Sequence, residues 1–163
     1  MVWILIVIIG AAADQFLKAT FTTMLASGES IPVIDGFFYL VLRTNPGAAW
    51  SFLADKEWGG YVLIAVSSIA SAAMLIFILK YPDRRIKACL AFLCAGSVGN
   101  LIDRIRFGSV TDYLDFHFGS YVFPTFNLAD TLIVCSSIVL GILVLFGTSP
   151  QPATTEAPLG KKD

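Results

Sequence analysis

From Gly59 to Leu79 the chain reads GGYVLIAVSSIASAAMLIFIL, without one charged side chain. A bilayer's hydrocarbon core, about 30 Å thick, is spanned by about 20 helical residues. No water satisfies backbone polar groups there, so a single apolar run of this length has to be helical. Ile86–Ile102 and Leu128–Phe146 qualify in the same way, and Val2–Ala13 does so if its helix continues past Asp14 and Lys18. Four membrane spans are expected. The stretch ending in Ala11-Ala12-Ala13 also fits a cleavable signal peptide. Against that, no basic residue precedes the apolar run, and helical spacing resumes with Phe16, Leu17, Ala19, Phe21 and Met24. A retained helix is the better reading.

Composition agrees with a membrane setting: 56% of the 163 residues are hydrophobic and only 14% are charged. A net charge of -1 leaves no basic footprint for nucleic acid. Lys80, Arg84, Arg85 and Lys87 crowd one short connection, which the positive-inside rule assigns to the cytoplasmic side. Both termini then face the cytoplasm, supported by Lys161 and Lys162. The segments from about Leu25 to Trp58 and from Arg104 to Phe126 fall on the outer face, with Arg104 and Arg106 as weak dissent. IPVIDGFFYLVLRTN suggests a short hairpin or small sheet on the membrane surface, and the second outer segment a short helix or loop. The fold expected is an all-α membrane protein of four transmembrane helices with a small extracytoplasmic β element. Residues 1–147 form its single domain, and 148–163, rich in Pro, Thr and small residues, a disordered cytoplasmic tail.

Cys89, Cys94 and Cys135 lack CxxC spacing and His117 is the only histidine, so neither a metal site nor a disulfide is expected. Ser67, Ser68, Ser136 and Ser137 have no His or Lys near them in sequence, and helix packing accounts for them. What remains is polarity where polarity is expensive. Asp14, Lys18, Asn100, Asp103, Asn127 and Asp130 lie in or at the edges of apolar helices, and a charge at the bilayer centre costs roughly 2.5–3.5 kcal/mol on insertion scales. Asp14 with Lys18, Asn100 with Asp103, and Asn127 with Asp130 are each spaced to share a helix face. Each residue taken singly can be a wetted boundary position, with Asn127 as an N-cap and Asp130 favoured by the helix dipole.

Taken together, they can converge on one polar pocket near the outer ends of spans one, three and four. Gly96 and Gly99 let the third helix approach its neighbours closely. Asp112 and Asp130 flank a short segment that leaves and re-enters the same membrane face. Two carboxyls in a half-dry site tend to share one proton. Such a pair can hydrolyse a peptide bond: one member draws a proton from water while the other hydrogen-bonds the scissile carbonyl oxygen. Intramembrane carboxylates also mark ion paths, so a small proton- or ion-coupled transporter subunit is the alternative, although its site would lie nearer the midplane. A noncatalytic membrane scaffold is a third.

The blocks DQFLK (Asp14 to Lys18), NPGAAWSF (Asn45 to Phe52), GSVGNLIDR (Gly96 to Arg104), VTDY (Val110 to Tyr113) and FNLAD (Phe126 to Asp130) resemble, in order and spacing, those of the bacterial lipoprotein signal peptidases, or signal peptidase II. Trp50 stands where Phe is common in the family. The resemblance implies a membrane-embedded aspartic peptidase of the inner membrane that needs no cofactor or metal. Its substrate would be a lipidated prolipoprotein, cut just before the diacylglyceryl-modified cysteine. Membrane lipids would be its surroundings, and no obligatory protein partner is evident. Asp112 and Asp130 match the catalytic pair. Asp14, Lys18, Asn45, Gly47, Asn100, Asp103, Arg104 and Asn127 match the substrate-binding or supporting positions. Gly47, Ala48 and Ala49 would let NPGAAW cover the site, although a plain turn before a helix start explains that stretch as well. Asp115 and His117 fall outside the matched positions, His117 reading as an interfacial residue beside aromatic anchors. Glu29, Asp35, Asp55 and Glu57 read as solvated loop charges.

Overall fold

The computed structural model describes residues 1–25, 29–47, 55–56 and 58–146. Helix α1 (Val2–Met24) is followed by strands β1 (Ser30–Ile34) and β2 (Phe38–Asn45), helices α2 (Gly59–Lys80) and α3 (Arg84–Phe107), strands β3 (Val110–Phe118) and β4 (Tyr121–Val122), and helix α4 (Leu128–Phe146). Each helix is long and apolar enough to cross a membrane. α1 runs unbroken through Asp14 and Lys18, as a retained span requires. Large apolar side chains point outward on every helix, among them Ile9, Phe16, Ile69, Leu79, Phe92 and Leu145. In water such a surface would aggregate; facing acyl chains it is at rest.

α3 sits centrally, packed against α1, α2 and α4. The Asp83 side chain caps its start by accepting from Arg85 N at 2.7 Å, and Gly108 ends it in the left-handed region at φ 72°. That terminator turns the chain from α3 into β3 within a few residues. Towards the α2–α3 connection, the loop end of the bundle, the core is apolar: Val7, Met74, Ile78, Ala91 and Cys94 pack together.

At the other end lies one antiparallel sheet in the order β1-β2-β3-β4. The hairpin expected in IPVIDGFFYLVLRTN is β1–β2, turning at Gly36 with φ 74°. The second outer segment, expected as a short helix or loop, is instead strand β3, which carries both Asp112 and Asp115. Val, Thr, Tyr and Phe in VTDYLDFHF favour a strand, and β3 covers the edge that β2 would otherwise leave open. In register, Arg43 faces Asp112, Thr44 faces Thr111 and Asn45 faces Val110. Phe126 bridges to Leu114 just before α4 begins, so β3 lies against the start of that helix.

Candidate active site

Two glycines on α3 bring the site together. A Cβ on Gly96 would run into the carbonyl oxygen of Ala129 on α4, and one on Gly99 would stand 2.5 Å from Asp14 Oδ2 on α1. Hydrogen in place of a side chain lets α3 touch both neighbours. Asp14, wholly buried, then reaches across to accept from Ala129 N at 2.9 Å, satisfying one orphan donor in the first turn of α4. Lys18 lies one turn further along α1. Its ammonium stands 2.9 Å from Asp14 Oδ2 and 3.2 Å from Asp103 Oδ2, and donates to Asn100 Oδ1 at 2.8 Å. Asp103 also accepts from Gln15 Nε2 at 2.7 Å and from Thr111 N at 2.9 Å. Buried charge is tolerated here because every member has partners from other elements.

Asn127 is the junction between this cluster and the sheet. Its Oδ1 accepts from Asp130 N at 2.9 Å, while Asp130 Oδ2 accepts from Asn127 N at 3.3 Å, a reciprocal cap that opens α4 and fixes the Asp130 side chain. Asn127 Nδ2 donates to Asp112 Oδ1 at 2.7 Å, with Asn100 Oδ1 and Thr111 O each at 3.2 Å. Asn100 Nδ2 in turn donates to Asp130 Oδ1 at 2.7 Å. The two side-chain amides thus hold the two carboxyls in one frame. Asn45 also hydrogen-bonds Asp112, and accepts from Gly47 N at 2.9 Å. Arg104 clamps the same turn from behind, donating to Gly47 O at 2.8 Å and to Asn100 O at 3.4 Å.

Asp112 and Asp130 both line a cleft of about 660 Å³, with Thr44, Asn45, Phe126 and Val134 among its walls. Asp112 is 3% exposed. Burial, and after it the negative charge of Asp130, pushes its carboxyl up to about 7, against the Asn127 and Asn45 hydrogen bonds and the Lys18 charge. A carboxyl that keeps its proton near neutrality, beside a second carboxyl in the same cleft, is suited to general acid–base work on a bound water and a carbonyl. Among the described residues no group of three or more His, Cys, Asp or Glu side chains is placed to hold a metal ion.

The candidate residues read from the sequence thus all belong to one connected assembly. Ala48, Ala49 and Trp50, suggested as a cover, lie outside the described residues. Gln15, Thr111 and Tyr113 also belong to that assembly, although the sequence did not mark them out as candidates. The Tyr113 hydroxyl accepts from Leu128 N at 3.1 Å while its ring stacks on Phe21 at 4.5 Å. The only signal for Gln15 and Tyr113 was adjacency to Asp14 and Asp112. Asp115 and His117, outside the matched positions, are hydrogen-bonded to each other at 2.9 Å beside the cleft.

A family model described as signal peptidase (SPase) II matches residues 6–146. A lipoprotein signal peptidase of Xylella fastidiosa is 37% identical over 157 residues, covering 94% of each chain. One from Syntrophus aciditrophicus is 42% identical over 136 residues, covering 81% of each. Among solved structures, a bacterial membrane enzyme determined by the in meso method at 2.3 Å superposes with a TM-score of 0.81 at 28% identity, over 99% of this chain and 94% of that one.

Proposed function

This chain belongs to the signal peptidase II family, and from that premise we propose that it is an aspartic endopeptidase acting on lipidated prolipoproteins. It removes the signal peptide by cutting before the diacylglyceryl-modified cysteine, with Asp112 and Asp130 as the catalytic pair and residues 1–147 as the peptidase domain. The observation that carries this reading is that both carboxyls line one cleft and are tied together through Asn127 and Asn100.

The pair shares one proton near neutral pH. The ionised carboxylate takes a proton from the attacking water, and the protonated carboxyl hydrogen-bonds the scissile carbonyl oxygen. The resulting tetrahedral intermediate collapses with cleavage of the C–N bond, and the leaving nitrogen takes up a proton from the pair. Asn100 and Asn127 keep the carboxyls in position through these steps. Asp14, Lys18 and Asp103 brace the helices behind them, while Arg104, Gly47 and Asn45 hold the turn beside Asp112.

With the basic α2–α3 connection on the cytoplasmic side, both termini face the cytoplasm and the sheet end faces outward. A diacylglyceryl cysteine anchored in the outer leaflet then reaches the cleft with its acyl chains still among membrane lipids. Cleavage of a lipidated precursor peptide by detergent-purified protein tests the reading. Asp112→Asn and Asp130→Asn are expected to purify as folded protein with turnover down by about three orders of magnitude or more. Normal turnover by either variant would refute the dyad.

A further inference from the structure

Asp115 is 2% exposed, yet it takes no part in the network that joins Asp112 to Asp130. Its oxygens are met by His117 Nε2 at 2.9 Å, by Thr125 Oγ1 at 3.3 Å and by Arg43 Nη2 at 3.8 Å. Tyr39 stands opposite it on β2 and tilts its ring against His117 at 4.8 Å. The contacts from His117 and Thr125 compensate the burial of this carboxylate. Arg43 is a different kind of partner. Its side chain is 60% exposed, and a long, solvated ion pair of this sort contributes about 0–1 kcal/mol to folding. Stability does not explain why a guanidinium is held there.

Position does. Arg43 faces Asp112 across the β2–β3 register and lines the same cleft as Asp112 and Asp130. A guanidinium carries five N–H donors in a rigid plane, so one contact with Asp115 leaves donors for an acceptor inside the cleft. A peptide drawn out of water into this space has to satisfy its carbonyl oxygens.

We propose that Arg43 is a substrate-binding residue, held by the positioning residue Asp115 so that its guanidinium donates hydrogen bonds to carbonyl oxygens of the bound lipidated precursor. This rests on the peptidase reading above. The acceptors are main-chain carbonyls of the peptide or ester carbonyls of its diacylglyceryl group.

The test measures kcat and KM separately on a lipidated precursor, in a detergent free of phosphate. Arg43→Gln is expected to raise KM about tenfold with kcat within about twofold of wild type, and Arg43→Lys to recover part of the loss. Asp115→Asn should raise KM less, and add little once Arg43→Gln is present. Because Arg43 is exposed, its own variants probe binding even if Asp115→Asn fails to fold. A precursor with ether-linked chains identifies the acceptor: an Arg43→Gln effect that persists points to the peptide, and one that vanishes points to the esters. An unchanged KM in Arg43→Gln, with Asp112→Asn inactive, overturns this proposal and leaves the dyad standing. An active Asp112→Asn overturns the dyad itself.

Discussion

At the loop end of the bundle, Val7, Met74, Ile78, Ala91 and Cys94 fill the space between α1, α2 and α3 with apolar atoms. At the sheet end, α1, α3 and α4 are joined by Asp14, Lys18, Asn100, Asp103 and Asn127, all buried and all bonded between elements. Lipid tails are as apolar as leucine, so burial against a neighbouring helix gains nothing over burial in lipid, and close packing is what holds the loop end. Packing tolerates small errors in position. A carboxyl pair proposed to act together on one water does not, and the directed bonds at the sheet end supply that precision. One bundle therefore carries a forgiving half and an exacting half.

The difference is most sharply exposed by Gly96→Val. Its side chain would collide with the backbone of Ala129 and with Ile133, whose Cγ1 lies 2.9 Å from the point a Cβ would occupy. Separation of α3 from α4 is expected to leave no folded, active protein, read as loss of a monodisperse species and of cleavage. Lys18→Met comes next. It strands the Asp14 and Asp103 carboxylates, and thermal unfolding in detergent should show a loss of about 3–5 kcal/mol.

Acidity gives a smaller effect of opposite sign. The Asp112 carboxyl is raised from the usual 3.8 to about 7, so the folded protein keeps a proton that the unfolded chain releases between those values. Its contribution to stability is fully present below about pH 4, declines as pH rises, and is lost above about pH 7. Asp112→Asn, free of that charge, is expected to melt a few degrees above wild type at pH 8 and level with it below pH 4. On the proposed mechanism, wild-type turnover should fall above about pH 7, as the Asp112 carboxyl loses its proton. Ile78→Val, at the loop end, should cost about 0.5–1.5 kcal/mol and leave turnover within about twofold. A larger loss of activity there would break the contrast between the two halves.

Four spans were legible because the length and charge of an apolar run report directly on the bilayer, and α1 through α4 follow those runs closely. The hairpin at Asp35-Gly36 was legible from turn chemistry beside aromatic and branched residues. For β3 the branched and aromatic residues carried a strand signal, but its pairing with β2, a partner distant in the chain, was not legible. The periodicity of Asp14 with Lys18 and of Asn100 with Asp103 gave helix faces without saying which faces would meet.

By itself, then, the order of residues determined a four-span membrane protein and marked the polar side chains able to find one another, since charge in lipid is costly. Only the tertiary structure decided that Lys18 stands between Asp14 and Asp103, that Asn127 caps α4 while reaching Asp112, and that Arg43 lines the cleft within 3.8 Å of Asp115. Those pairings depend on how closely Gly96 and Gly99 let three helices approach and on the register of β2 with β3. Both are long-range geometry, to which local spacing is blind.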